Sequence, residues 1–188
     1  MPEQPVVDPA VLRAVSHPVR NRVLAELHAA GPLRAADVAQ ALDIPANQAS
    51  FHLRQLAKYG LVVEAPEAAR DGRDRVWKPA AYEGLHLDLT RLERTPEGRA
   101  AGDVYRRQLG ATLTESVARA VRRHESERRG VTVSDAAVRL TEDEARALAS
   151  EVIAVVERYA ERTRGATDGA HRRTFQVLQV VQPHDQDD

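Results

Sequence analysis

The chain has 188 residues, 27 basic and 28 acidic side chains, a formal net charge of −1 and 43% hydrophobic content. That length suits one or two small domains with a modest core, and the composition is globular rather than disordered. The absence of cysteine excludes a disulfide framework, a thiolate nucleophile and any Cys-ligated metal, and an aromatic content of only 4% argues against a base-stacking platform for single strands.

No apolar run approaches the ~18 residues of a membrane span, and residues 1–9 lack a basic–apolar leader pattern, so a cytoplasmic location is expected. Residues 1–9 are proline-rich and read as extended. From Asp8 the pattern is helical, with Val11, Leu12 and Val15 on one face. Ser16-His17-Pro18 reads as the next helix start, since proline tolerates the first helical position. Val19, Val23, Leu24 and Leu27 form its apolar stripe, and Gly31-Pro32 ends it.

A compact pair follows. The spacing predicts a helix over 34–42 with Val38, Ala39 and Leu42 inward, a turn at 43–45, and a helix over 46–59 with Ala49, Leu53 and Leu56 inward. Gly60 stands where a helix ends. Residues 61–64 and 75–78 read as strands of a hairpin around a polar loop containing Asp71-Gly72.

After a mixed stretch over 81–96, a long helix is expected from Pro96 to Arg128. Its apolar residues Ala101, Val104, Tyr105, Leu109, Leu113, Val117 and Val121 leave more apolar face than a small domain covers, so it is expected to meet a partner helix. Residues 131–140 read as a strand. Thr141 and Glu144 form a capping box that opens a helix to about Arg164, burying Leu148, Val152, Val155, Val156 and Tyr159. Residues 174–181 read as a last strand and 184–188 as a polar tail.

Two short helices joined by a tight turn, the second followed by a hairpin, make a winged helix-turn-helix. The fold class expected is mainly α with small β: that domain over 1–80, then a helical dimerisation or effector region with two short strands over 81–183, and a disordered tail over 184–188. Opposite the inner stripe of the 46–59 helix stand Asn47, Gln48, Ser50, Phe51, Arg54 and Lys58. Asn and Gln pair bidentately with adenine and Arg with guanine, and an exposed Phe suits a thymine methyl. Lys58 is better placed for phosphate. Arginines in the loop, Arg73 and Arg75 among them, suit a narrow minor groove. The net charge over 45–80 is only +2, so affinity is expected to require two copies.

Residues 12–80 resemble the ArsR-type winged-helix transcriptional regulators of bacteria. The matching stretches are LRAVSHPVRNRVLAEL (12–27), AADVAQALDI (35–44), QASFHLRQLAKYGLV (48–62) and GRDRVWKP (72–79), the run from Ser50 to Val62 being the most diagnostic. The resemblance implies that Ser50, Phe51 and Arg54 read bases, that Arg20 lies near the phosphate backbone, and that Arg73 and Arg75 sit in the wing. A homodimer is expected, its two recognition helices entering successive major grooves of a pseudo-palindromic operator, and the resemblance makes repression commoner than activation. Metal sensing through a Cys pair is impossible here. His124 and Glu127 lie three apart on the long helix, a sparse alternative metal site, because such sites normally need more ligands and support. No metal, cofactor or membrane partner is expected, and a small-molecule effector is left open. The sequence carries no nucleophile elbow, phosphate-binding loop, dinucleotide fingerprint or zinc-protease motif, so no enzymatic role is expected. The rival reading is a winged helix that binds protein rather than DNA.

Overall fold

A computed structural model describes residues 8–69, 74–82, 87–127, 131–166, 168 and 170–183, with backbone alone for 123–127. The chain divides into two compact units, Met1–Val133 and Ser134–Asp188. The boundary expected near residue 80 falls inside the first unit, because Leu92 and Ala101 share the core built by the upstream helices.

The first unit opens with α1 (Pro9–Val15) and α2 (Pro18–Ala30). Asp8 caps α1 by accepting from the Ala10 amide, and the His17 ring caps α2 by accepting from the Val19 amide. A two-residue strand β1 (Leu33–Arg34), which the sequence pattern did not announce, leads into α3 (Ala35–Leu42). Asp43 then turns the chain in the left-handed region at φ 53°, a conformation that Asp tolerates better than most side chains. Helix α4 (Ala46–Lys58) follows, and Gly60 at φ 68° releases it into β2 (Val62–Glu64).

The antiparallel sheet has the order β1-β3-β2, with β3 spanning Val76–Pro79. Val63 faces Lys78 and Glu64 faces Trp77 across the β2–β3 wing, and Leu33 faces Trp77 from the other side. Trp77 is buried at the centre of this sheet, which supplies what the few aromatic residues otherwise could not.

The core unites Leu12, Val23, Leu27, Val38, Ala49, Leu53, Leu56 and Val62, all at most 1% exposed. The inner stripes expected for α3 and α4 are buried as read. Short helix α5 (Leu89–Leu92) and long helix α6 (Pro96–Glu127) extend the core through Leu92 and Ala101. Thr95 caps α6, its hydroxyl accepting from the Gly98 amide at 3.0 Å. A Cβ on Gly98 would stand 1.7 Å from the Leu92 carbonyl oxygen, so only glycine permits the α5–α6 corner. The beginning of α6 packs on α1. Tyr105 still touches the core, whereas Leu109, Val117 and Val121 farther along are 39–49% exposed.

In the second unit, α7 spans Glu142–Thr163 and carries the expected capping box of Thr141 and Glu144. Two expectations fail here. The strands over 131–140 and 174–181 do not form: among the described residues neither segment joins a sheet. Their β-branched residues favour extended backbone, but a strand exists only through a paired neighbour. Leu148, Val152, Val155, Val156 and Tyr159, expected inside, are not buried; α7 buries no residue. Periodicity marks an apolar face without saying whether the chain itself supplies a cover.

Candidate nucleic-acid interface

Both ends of α3 and the inner face of α4 are pinned. Arg34 forms a fork on Asp37 (2.8 and 2.9 Å) and reaches Asp74 beside β3 at 3.5 Å. Arg22 donates to the Leu42 carbonyl at 2.9 Å, closing the free C-terminal end of α3 onto α2. Leu53 and Leu56, wholly buried, fix the rotation of α4 about its axis. With that face locked inward, residues near 47, 51, 54 and 58 must face outward.

The outward residues behave accordingly. Asn47, Phe51, Arg54 and Lys58 are exposed, Gln48 and Ser50 half-buried, and Phe51 keeps 49% of its surface open. Such an exposed aromatic on a helix whose leucines are buried stands ready for an apolar contact outside the chain. No acidic residue occurs in α4. Among the described residues no carboxylate pairs with Arg54 or Lys58, and the Lys58 ammonium lies over the Tyr59 ring, 5.8 Å from its centre. Pro45 offers no side-chain acceptor to the first turn of α4; within that turn the Asn47 side-chain oxygen accepts from the Gln48 amide at 2.9 Å.

Other expected contacts are more constrained. Arg20 lies beside α4, close enough to lower the His52 pKa, but spends Nε and Nη2 on the Ala14 and Arg13 carbonyls at 2.6 and 3.0 Å. Its first structural task is to cap α1, leaving only part of its five-donor fork for phosphate. Arg75 is paired with Glu64 at 3.1 Å and rests 5.9 Å from the Trp77 ring centre. Lys78 is paired with Glu67 at 2.6 Å. The wing's positive charge is thus partly neutralised by acids already present in the sequence pattern. Arg73 lies outside the described residues, as do the side chains of His124 and Glu127. Among the described residues no three His, Asp or Glu side chains gather as metal ligands, and no helix is long and apolar enough to cross a membrane.

Sequence reasoning missed the structural role of Arg34 and the capping roles of His17 and Arg20. For His17 the signal was available in the His-Pro helix start; for Arg20 and Arg34 the partners are carbonyls and a distant carboxylate, invisible without the fold. His52 is 4% exposed, its Nδ1 has no hydrogen-bond partner among the described residues, and its ring centre lies 5.0 Å from that of His17.

Burial lowers the pKa of both imidazoles, and the nearby Arg20 lowers them further. The unfolded chain, with histidines near pKa 6.5, therefore binds more protons than the native state below that pH. Stability from this pair is complete above about pH 6.5 and is lost progressively as the pH falls through that value toward the lowered native pKa. The urea midpoint should drop between pH 7.5 and 5.5, and His52→Leu should flatten that slope. An unchanged slope in the variant would remove His52 as its cause.

Residues 15–65 match the family model of a helix-turn-helix domain. No curated protein matches the chain. The first unit thus contains a winged helix-turn-helix, the architecture of DNA-binding regulators, and a helical region follows it.

Proposed function

We propose that the protein is a sequence-specific regulator that binds double-stranded DNA as a homodimer on a pseudo-palindromic operator and acts as a repressor. One observation carries this reading: the buried stripe of α4 turns an acid-free outer face toward solvent, with Phe51, Arg54 and Lys58 exposed on it. That face has the donors and the apolar contact needed to read major-groove edges, with Asn47, Gln48 and Ser50 toward its start. Arg75, and by resemblance Arg73, would approach the flanking minor groove, and Arg20 the backbone.

The weak local charge argues for two copies, because one domain with few phosphate contacts binds weakly at physiological salt. The exposed stretch of α6, with Val104, Leu109, Val117 and Val121, supports self-association, and we assign Leu113 to the same stripe. Tyr105, read with them from sequence, is half-buried against the core of its own chain. Repression is taken from the resemblance to ArsR-type regulators. Cytoplasmic action follows from a DNA partner.

The test is selection of bound fragments from the source genome with the purified full chain. Enrichment of a two-fold symmetric site, with duplex affinity falling steeply as salt rises, is the expected result. A winged helix that binds protein would give no salt-dependent duplex binding, and that outcome would end the DNA reading.

A further inference from the structure

Helix α7 presents two apolar strips, both largely open to solvent. Ala149, Ile153 and Val156 face Val177, Gln179 and Val181 of its own unit, and the Gln179 amide reaches the Ala149 carbonyl at 3.5 Å. A second apolar strip runs beside the first. Leu148, Val152, Val155 and Tyr159 are spaced four, three and four residues apart, the 3.5-residue period of a two-helix seam. Leu148, Val155 and Tyr159 are 37, 41 and 61% exposed, and Val152 is half-buried. Packing rather than propensity supplies most of a helix's stability, and no residue of α7 is fully buried.

We infer that this seam pairs with the same seam of a second copy, the two α7 helices running antiparallel about a two-fold axis. The inference rests on the homodimer reading above but assigns it a second, separate surface. The arrangement of the seam supports a second copy over a foreign partner. Its four residues are symmetric about their midpoint, so antiparallel pairing sets Leu148 against Tyr159 of the other copy and Val152 against Val155. A two-fold interface requires this self-complementarity.

Charge points the same way. Glu151 and Arg158 flank the seam on one side and, among the described residues, neither forms an ion pair. Antiparallel pairing brings Glu151 of each copy toward Arg158 of the other, twice by symmetry. Parallel pairing would set Glu151 beside Val156 and Arg158 beside Thr163, leaving both charges unmatched. The seam is shorter than a standard interface, so it acts together with a further contact rather than alone.

Because the chain contains no cysteine, oxidative cross-linking tests the geometry cleanly in the full chain without DNA. An equimolar mixture of Leu148→Cys and Tyr159→Cys chains should form a mixed disulfide. Leu148→Cys alone should not, since its two copies would stand about 16 Å apart along the axis, beyond disulfide reach. Cross-linking of Leu148→Cys with itself, or none in the mixture, overturns the inference. A second arm leaves the apolar seam untouched: Glu151→Arg or Arg158→Glu should weaken self-association about tenfold, and the double exchange should restore it. Failure of that rescue also overturns it. A mixed cross-link in a protein that binds no duplex would instead retain α7 pairing and defeat the DNA reading. Operator binding by a dimer lacking the cross-link would do the reverse.

Discussion

Leu53→Ala is expected to cost about 3 kcal/mol of unfolding free energy, the middle of the range for truncating a wholly buried leucine. Leu53 lies at the centre of α4 with none of its surface exposed, within the core formed by α2, α3 and the wing. The cavity would open under the helix that carries the proposed reading face, so loss of stability and loss of DNA binding should appear together. Its sequence neighbour gives the contrast. Arg54 points outward without a carboxylate partner among the described residues, and Arg54→Ala should shift stability by no more than about 0.5 kcal/mol. Urea unfolding of the two variants side by side checks both numbers. A cost below about 1 kcal/mol for Leu53→Ala would mean that α4 is not rotated as described.

The second large effect concerns recognition. Gln48→Ala combined with Arg54→Ala should lower affinity for the selected operator by on the order of 100-fold or more, since each bidentate base contact contributes about 1–3 kcal/mol of discrimination. Affinity for random duplex should change little, so the ratio between the two collapses while the protein remains folded. Lys58→Ala should act differently, weakening both duplexes alike and reducing the salt slope by about one. Titrations of the three proteins at two salt concentrations separate base reading from backbone contact. If the double variant keeps its preference for the operator, α4 is not the reading element.

These outcomes follow from features of unequal visibility in the sequence. The stripes of α3 and α4 were legible because a helix returns every third or fourth residue to one face, so Val38, Leu42, Ala49, Leu53 and Leu56 announce their own burial. The outward set on α4 follows by subtraction. The capping box at Thr141 was equally readable, since it involves residues three apart. The strand β1 was not, for two residues carry no period and exist as a strand only because Trp77 and Val76 lie opposite them. Nor was the engagement of Arg20 with the end of α1, because backbone carbonyls have no sequence signature.

The second unit shows the same division most sharply. Sequence marked the helix α7 and its apolar residues, but it read the β-branched runs on either side as strands that do not form among the described residues. Whether such residues are covered depends on what packs against them, and here the chain alone leaves Val155 41% and Tyr159 61% exposed. Amino-acid order by itself determined the helix-turn-helix, its inner stripe and the chemistry of its outer face, since those depend on neighbours within one or two turns. Tertiary structure alone decided which charges are already paired in the wing, that α6 begins in the first core and leaves it, and that no residue of α7 is fully buried. Those are matters of contact between segments distant in sequence, and local periodicity carries no information about distant partners.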